Sequence, residues 1–560
     1  MEENGNIYLL VNYSISETED LETLRRLYPN LDIRRITAGI YTIQVPAGAE
    51  SEFDILERNL RYIDRPILYG LNAEQALEVS NISQFHDYPY GALRGSGILI
   101  GFVDTGIEYT NTYFQNADGT SRIASIWDQT IPGNPPEAFG YGSTYSQAEL
   151  NAALRNEDPY SVVPTRDTNG HGTFLAGLAA GNDQSDAATF TGAAPDAEII
   201  MVKLRPASQE IRDLFLINEG ADAYQSNDIL TGIQYIVSVA NDLNRPLVIC
   251  IGLGDNYGAH NGTNIIERLL EDVGLTNRII VVVAAGNETS SGHHYRGQIA
   301  PNTKQDIEIN VAENERGFFM ALWADISAKL YVSFRSPLGQ TISRVPLVNR
   351  ESQVFRFNLE PAILDVRYLY TDPITGVESV GIRLSNPTPG IWTMTVEGDS
   401  TIDGSFHIWL PRRGFIDENT TFLQPDPSYT VQIPATAEYV IVVGAYDPVD
   451  DSIYVASGRG PTTANVIKPD FIAPGVNVQG PRVGGGLTTF VGTSTAAAIT
   501  AGASALLLEW AVLNNNFPEM NTRIARGIFI RGARRSNNVD YPNTIEGYGR
   551  LDLQNSISIV

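Results

Sequence analysis

Five short apolar runs recur along the chain from Ile98 onward: ILIGFVDTG, EIIMVKL, LVICIGLG, IIVVVAAGN and YVIVVGAYD. Each has apolar residues at successive rather than alternate positions and is followed by a glycine-rich turn and a stretch of helical periodicity. That pattern fits strands covered on both faces, and predicts a doubly wound α/β domain with a mostly parallel sheet. Before it, residues 7 to about 65 alternate strand, helix and strand patterns: a strand from Ile7 to Val11, a helix over Glu19 to Leu27, strands around Ile33 and Ile40 to Val45, and a helix over Glu52 to Asn59. These suit a small open-faced α+β unit. Between about Pro301 and Thr436 the pattern changes to alternating strands with turn punctuation, as in FFMALWADISAKLYVSFRS and NPTPGIWTMTVEG. An inserted all-β sandwich or jelly roll is expected there. The α/β pattern then resumes and ends with the helix GTSTAAAITAGASALLLEWAV. The expected units are 1–75, 76–300, 301–436 and 437–560, the second and fourth forming one domain.

A length of 560 residues is too great for one ordinary core, in keeping with several domains. The net charge of −27, from 65 acidic and 38 basic residues, would repel phosphate backbones and anionic membranes. No nucleic-acid partner is expected. The apolar runs are broken by Gly, Asp or Asn before they reach the roughly 20 residues of a bilayer span, so no membrane span is expected. The first residues, MEENGNIYLLVNYS, are acidic where a signal peptide is basic. No classical signal peptide is read there, and synthesis in the cytoplasm is the expectation. The single cysteine, Cys250, excludes an intrachain disulfide and falls inside an apolar run, where a buried inert thiol is expected.

Candidate chemistry lies in three segments: Phe102-Val103-Asp104-Thr105-Gly106, Asn169-Gly170-His171-Gly172-Thr173 and Gly492-Thr493-Ser494-Thr495-Ala496-Ala497-Ala498. A serine hydroxyl is a poor nucleophile at neutral pH and needs a base within hydrogen-bond reach; His171 can serve Ser494, with Asp104 holding the imidazole. Ser494 at the start of an alanine-rich helix has backbone N–H groups available for a developing oxyanion, and Asn287, in Ala284-Ala285-Gly286-Asn287, supplies a second donor. These segments, in this order, resemble the Asp, His and Ser signatures of the subtilase family, across nearly all of residues 98–300 and 436–555.

The resemblance implies a serine endopeptidase with a subtilisin-like fold. It also implies that Gly252, Leu253 and Gly254 form the edge that pairs with a substrate backbone, and that Ala284, Ala285 and Gly286 line the pocket for the side chain preceding the scissile bond. Thr495 and Ala498 depart from the Met and Pro of many members. The stretch Gly181 to Thr191 lacks the family's Asn-rich calcium loop, so neither a metal nor a cofactor is expected. His293 and His294 have no carboxylate or cysteine companion at ligand spacing, and His260 reads as a hydrogen-bonded loop histidine.

The N-terminal unit, the β-rich insertion and the string GDNYGAHNG together resemble a narrower group, the Csp germination proteases of clostridial spore formers. That resemblance implies packaging in the spore and a protein substrate that is the zymogen of a cortex-lytic enzyme. It further implies a prodomain that is an intramolecular chaperone and inhibitor and is cut by Ser494 in the connector Pro66 to Ser80, with Tyr69-Gly70-Leu71 as a candidate segment. Two alternatives share the fold: a general degradative or maturation subtilase, and a catalytically silent binding or sensor protein.

Overall fold

A computed structural model of the chain describes residues 92–183, 190–369 and 376–560, and, before these, residues 7–12, 25–26, 29, 31–37, 39–45, 62–64, 68–71, 76–77 and 80–87. Its centre is an eight-stranded sheet in the spatial order Phe471–Pro474, Ile441–Tyr446, Ile279–Ala284, Leu247–Ile251, Leu99–Asp104, Glu198–Lys203, Ile123–Asp128, Ser143–Ser146. All neighbours run parallel except the last pair. All five apolar runs are strands of this sheet. Their consecutive apolar residues are explained by two core layers: helices His171–Ala180 and Thr493–Leu508 cover one face, and Ser226–Asp242 and Ile265–Gly274 the other. Three further strands, Ile123–Asp128, Ser143–Ser146 and Phe471–Pro474, were not among the expected ones.

The helix Thr493–Leu508 is buried along its whole length. Together with the turn that continues it, Thr493–Leu513 is long and apolar enough to cross a membrane by length and composition alone. Within the helix the hydroxyls of Thr500 and Ser504 return to backbone carbonyls, Thr500 Oγ1 to Ala496 O at 2.8 Å and Ser504 Oγ to Thr500 O at 2.7 Å, so these two do not interrupt the apolar surface. Most of that surface is covered by the protein itself.

In the N-terminal region, strands Ile7–Asn12, Asp32–Thr37, Ile40–Val45 and Tyr62–Asp64 form an antiparallel sheet. Ile36 and Ile40 join the core that contains Trp127, Phe139 and the helix Ser226–Asp242. The helix expected at Glu52 to Asn59, and most of that at Glu19 to Leu27, fall outside the described residues. So do residues 184–189 of the stretch read as lacking a calcium loop.

The β-rich insertion is two antiparallel sheets, one of six strands and one of five, enclosing a core that includes Phe318, Trp392 and Phe406. It begins earlier than Pro301, because His294–Gln298 pairs with Ser405–Trp409 at the edge of the six-stranded sheet. Its last strand is Thr421–Phe422. The insertion is fastened to the α/β domain by Arg383, which donates to Leu214 O and Asp213 O at 3.0 Å each, and by Trp409, stacked 4.0 Å from His260.

Where the chain returns from the insertion, Thr436 donates to Glu267, whose other carboxylate oxygen accepts from Asn264 N at 2.9 Å and caps the helix Ile265–Gly274. Burial pushes Glu267 from 4.5 up to about 8. Between those values the folded chain keeps a proton that the unfolded chain releases. The stability that Glu267 contributes is therefore full below pH about 4.5 and falls as pH rises towards 8. Melting temperature across this range is expected to decline in the wild type and to decline less in Glu267→Gln.

Candidate active site

Asp104, His171, Asn287 and Ser494 meet at the carboxyl ends of the central strands, where doubly wound sheets place their sites. Asp104 ends its strand and is 1% exposed. Its Oδ1 accepts from Thr105 N at 2.8 Å, and Thr105 Oγ1 in turn accepts from Gly172 N at 2.9 Å, tying strand end to helix start. His171 opens its helix after Gly170, whose φ of +98° is a left-handed conformation that favours glycine. Gly170 has no side chain with which to cap the helix, so Asp167 does it, accepting from Gly170 N at 2.8 Å and from Thr173 N at 3.0 Å.

His171 Nδ1 lies 2.8 and 2.9 Å from the two oxygens of Asp104, and Nε2 lies 3.3 Å from Ser494 Oγ. With the Nδ1 proton donated to Asp104, Nε2 is the ring's acceptor for the serine hydroxyl. Ser494 is the second residue of the helix Thr493–Leu508, so its backbone N–H lies at the helix start, at the positive end of the helix dipole.

Asn287 is oriented by Thr493. Gly286 N donates to Thr493 Oγ1 at 3.0 Å, so the hydroxyl proton goes to Asn287 Oδ1 at 3.2 Å, and Thr493 N donates to the same oxygen at 3.1 Å. With Oδ1 held, Nδ2 is the end of the amide left for an oxyanion.

The strand Leu253–Gly254 is paired antiparallel with Leu68–Leu71 of the connector, Leu253 opposite Leu71 and Gly254 opposite Gly70. On its other side the same connector strand pairs with Tyr224–Gln225. The connector next reappears as Ala76–Leu77, parallel to Asn477–Val478. Gly252 is needed where it stands, since a Cβ there would lie 2.7 Å from Leu175 Cδ1 and 3.2 Å from both His171 Cε1 and Ser494 Cβ. Gly252→Ala is expected to displace the nucleophile or its base and to lower kcat/KM by about 10²-fold. The rate of fluorophosphonate labelling at Ser494 measures this without a choice of substrate.

Next to Asn287, Glu288 centres a polar network that carries no motif signature in the sequence. Glu288 accepts from His293 Nδ1 at 2.9 Å, Asn256 Nδ2 at 3.0 Å and Arg413 N at 3.0 Å. Burial alone would raise its pKa, but the hydrogen bond and attraction of His293, with Arg412, hold it below the ordinary carboxylate value. His293 thus does have a carboxylate companion, contrary to expectation, and Glu288 is committed to a hydrogen-bonded pair. Among the described residues no three ligand-type side chains are grouped to hold a metal. Arg412, from the insertion, donates to Gly254 O at 2.9 Å. His260 is buried between Val431 O at 2.8 Å and Asn256 O at 2.9 Å; burial pushes it down to about 4, and a neutral ring donates to one of the two. Cys250 is buried, and its thiol pKa is pushed well up by burial and by the charge of Asp104, as expected of an inert residue. Thr495 Oγ1 is buried with no hydrogen-bond partner among the described residues, and Ala498 is packed in the core.

A strand-end Asp, a helix-start His and a helix-start Ser in hydrogen-bonded series, with an anchored asparagine beside them, define a serine peptidase of the subtilisin type. The chain matches the Subtilase family over residues 95–314 and 419–549 and belongs to it. Its structure is similar to that of the Clostridium perfringens CspB protease, at 32% identity and a TM-score of 0.76, over 86% of this chain and 98% of that one. It is also similar to Serine protease AprX of Bacillus subtilis, 33% identical over 153 residues, and to Subtilisin-like protease SBT3.1 of Arabidopsis thaliana, 26% identical over 455 residues. These matches span 24% and 74% of this chain, but only 33% of AprX and 53% of SBT3.1.

Proposed function

We propose that this chain hydrolyses peptide bonds through an acyl-enzyme on Ser494, and that its own connector is its first substrate. The observation that carries this is the pairing of Leu68–Leu71 between Tyr224–Gln225 and Leu253–Gly254, beside the triad. Such pairing binds main chain and leaves the side chains to set specificity. Ser494 Oγ attacks the carbonyl carbon while His171 Nε2 takes its proton. The oxyanion faces Asn287 Nδ2 and the Ser494 N–H. Collapse of the intermediate breaks the C–N bond, His171 returns the proton to the departing amine, and water releases the acyl group by the same steps.

Gly254 faces Gly70 and Leu253 faces Leu71, so a strand held in this register presents to Ser494 the bond after the residue opposite Gly252. Counted along this chain, that bond is Asn72–Ala73, between the described residues Leu71 and Ala76. In this reading the N-terminal unit is a prodomain that templates and then inhibits the enzyme, and the inserted sandwich is a jelly roll that braces it.

The likeness to the CspB protease supports a narrower assignment: activation of a cortex-lytic zymogen during spore germination. Incubation of the processed enzyme with such a zymogen and, separately, with casein tests it. One defined cut in the zymogen with slow turnover of casein is the expected result. Casein turnover at a comparable rate would favour a general degradative subtilase. No cut in either, with no fluorophosphonate label on Ser494, would make the chain a silent binding protein.

A further inference from the structure

Gln432 links the segment Ala284–Gly286 to Asn256, which follows the edge Gly252–Gly254. Its N–H donates to Ala285 O at 3.0 Å, and the next residue, Ile433, is bridged to Asp255 on the edge side. Its side chain lies so close to Gly286 that a Cβ there would stand 2.5 Å from Gln432 Oε1. From there Nε2 reaches across and donates to Asn256 Oδ1 at 3.0 Å. Gln432 is 1% exposed.

The orientation of this amide is dictated by its neighbours. Asn256 Nδ2 donates to Glu288 Oε2 at 3.0 Å and to Leu410 O at 3.2 Å. A carbonyl cannot donate, and Glu288 is already accepting from His293 and from the Arg413 amide. Asn256 therefore turns its oxygen to Gln432, and Gln432 must answer with its NH2. Gln432 Oε1 is left facing away from Asn256, buried, with no hydrogen-bond partner among the described residues. A buried acceptor in that state is costly unless a ligand satisfies it.

We propose that Gln432 sets the side-chain preference of this peptidase, selecting carboxamides, Asn or Gln, at the residue before the scissile bond, by accepting a hydrogen bond from their NH2 on Oε1. The proposal rests on the proteolytic reading above. A leucine matches asparagine in shape but leaves Oε1 unsatisfied, and a carboxylate sets acceptor against acceptor with Glu288 close behind. The connector sequence is in keeping with this preference. In the sequence the residue that follows the paired Leu71 is Asn72, a carboxamide.

The test is kcat/KM of the processed enzyme on fluorogenic peptides that differ only at this residue: Asn, Gln, Leu, Met, Glu and Lys. Asn and Gln are expected to exceed Leu and Met by at least about tenfold, because a site built to hydrogen-bond a substrate group discriminates strongly against its isostere. Gln432→Met is expected to bring the Asn-to-Leu ratio close to one, by loss on the Asn peptide. Wild-type enzyme that cleaves Leu, Met or Lys peptides as well as Asn and Gln would overturn the proposal while leaving proteolysis standing. No turnover of any peptide, together with no labelling of Ser494, would remove proteolysis and the preference together. The wild-type series decides the matter even where Gln432→Met does not fold.

Discussion

Ser494→Ala is expected to lower peptide hydrolysis on the order of 10⁶-fold, the scale of nucleophile removal in a triad that acts as one unit. The residual rate would come from the oxyanion donors and from binding of the backbone strand. Ser494 is fully buried in the second position of its helix, so the alanine removes a hydroxyl and opens almost no space. Thermal unfolding should hardly change. His171→Ala should lose about as much activity, and the double variant little more than either single one, because Asp104, His171 and Ser494 form one hydrogen-bonded series. Steady-state kinetics of the three variants, each with its melting temperature, separates this from a general loss of structure.

Asn287→Ala is expected to lower kcat by about 10²–10³-fold with little change in KM, since the donor acts on charge that appears only in the transition state. That magnitude was measured on the equivalent asparagine of subtilisin, to which this site is similar. The structure adds a graded companion. Thr493 holds Asn287 Oδ1 through both its N–H and its hydroxyl. Thr493→Val removes the hydroxyl and leaves the N–H, so it should cost less than Asn287→Ala and act in the same direction. The two losses should not add, because the second residue works only by positioning the first. A Thr493→Val loss confined to KM would argue that the asparagine is held by something else.

The strands legible in the sequence are those with apolar residues at every position, such as Leu247–Ile251 and Ile279–Ala284, whose residues are all buried. Ile123–Asp128 also lies in the sheet, but Ser125 and Asp128 interrupt its apolar run; in the fold Ser125 is hydrogen-bonded to Tyr235, and Asp128 to Thr130 and Thr165 with Lys203 beside it. The start of the insertion was misread for a similar reason. His294–Gln298 carries no strand pattern and becomes a strand by pairing with Ser405–Trp409, more than a hundred residues away.

The triad and Asn287 could be read because serine chemistry dictates both residue types and local turns. The network of Asn256, Glu288, His293 and Gln432 could not, because it joins two loops of the α/β domain to residues flanking the insertion. Its one local signal is an acidic residue directly after Asn287.

The central claim, that this chain is a peptidase whose connector lies in its own active site, is tested most directly by intact mass. Wild type and Ser494→Ala would be purified in parallel, denatured and weighed. The expected result is two fragments in the wild type, meeting between Leu71 and Ala76, and a single full-length chain in the variant. A wild type that stays full length under conditions where it folds, or a variant cut at the same bond, would contradict the account.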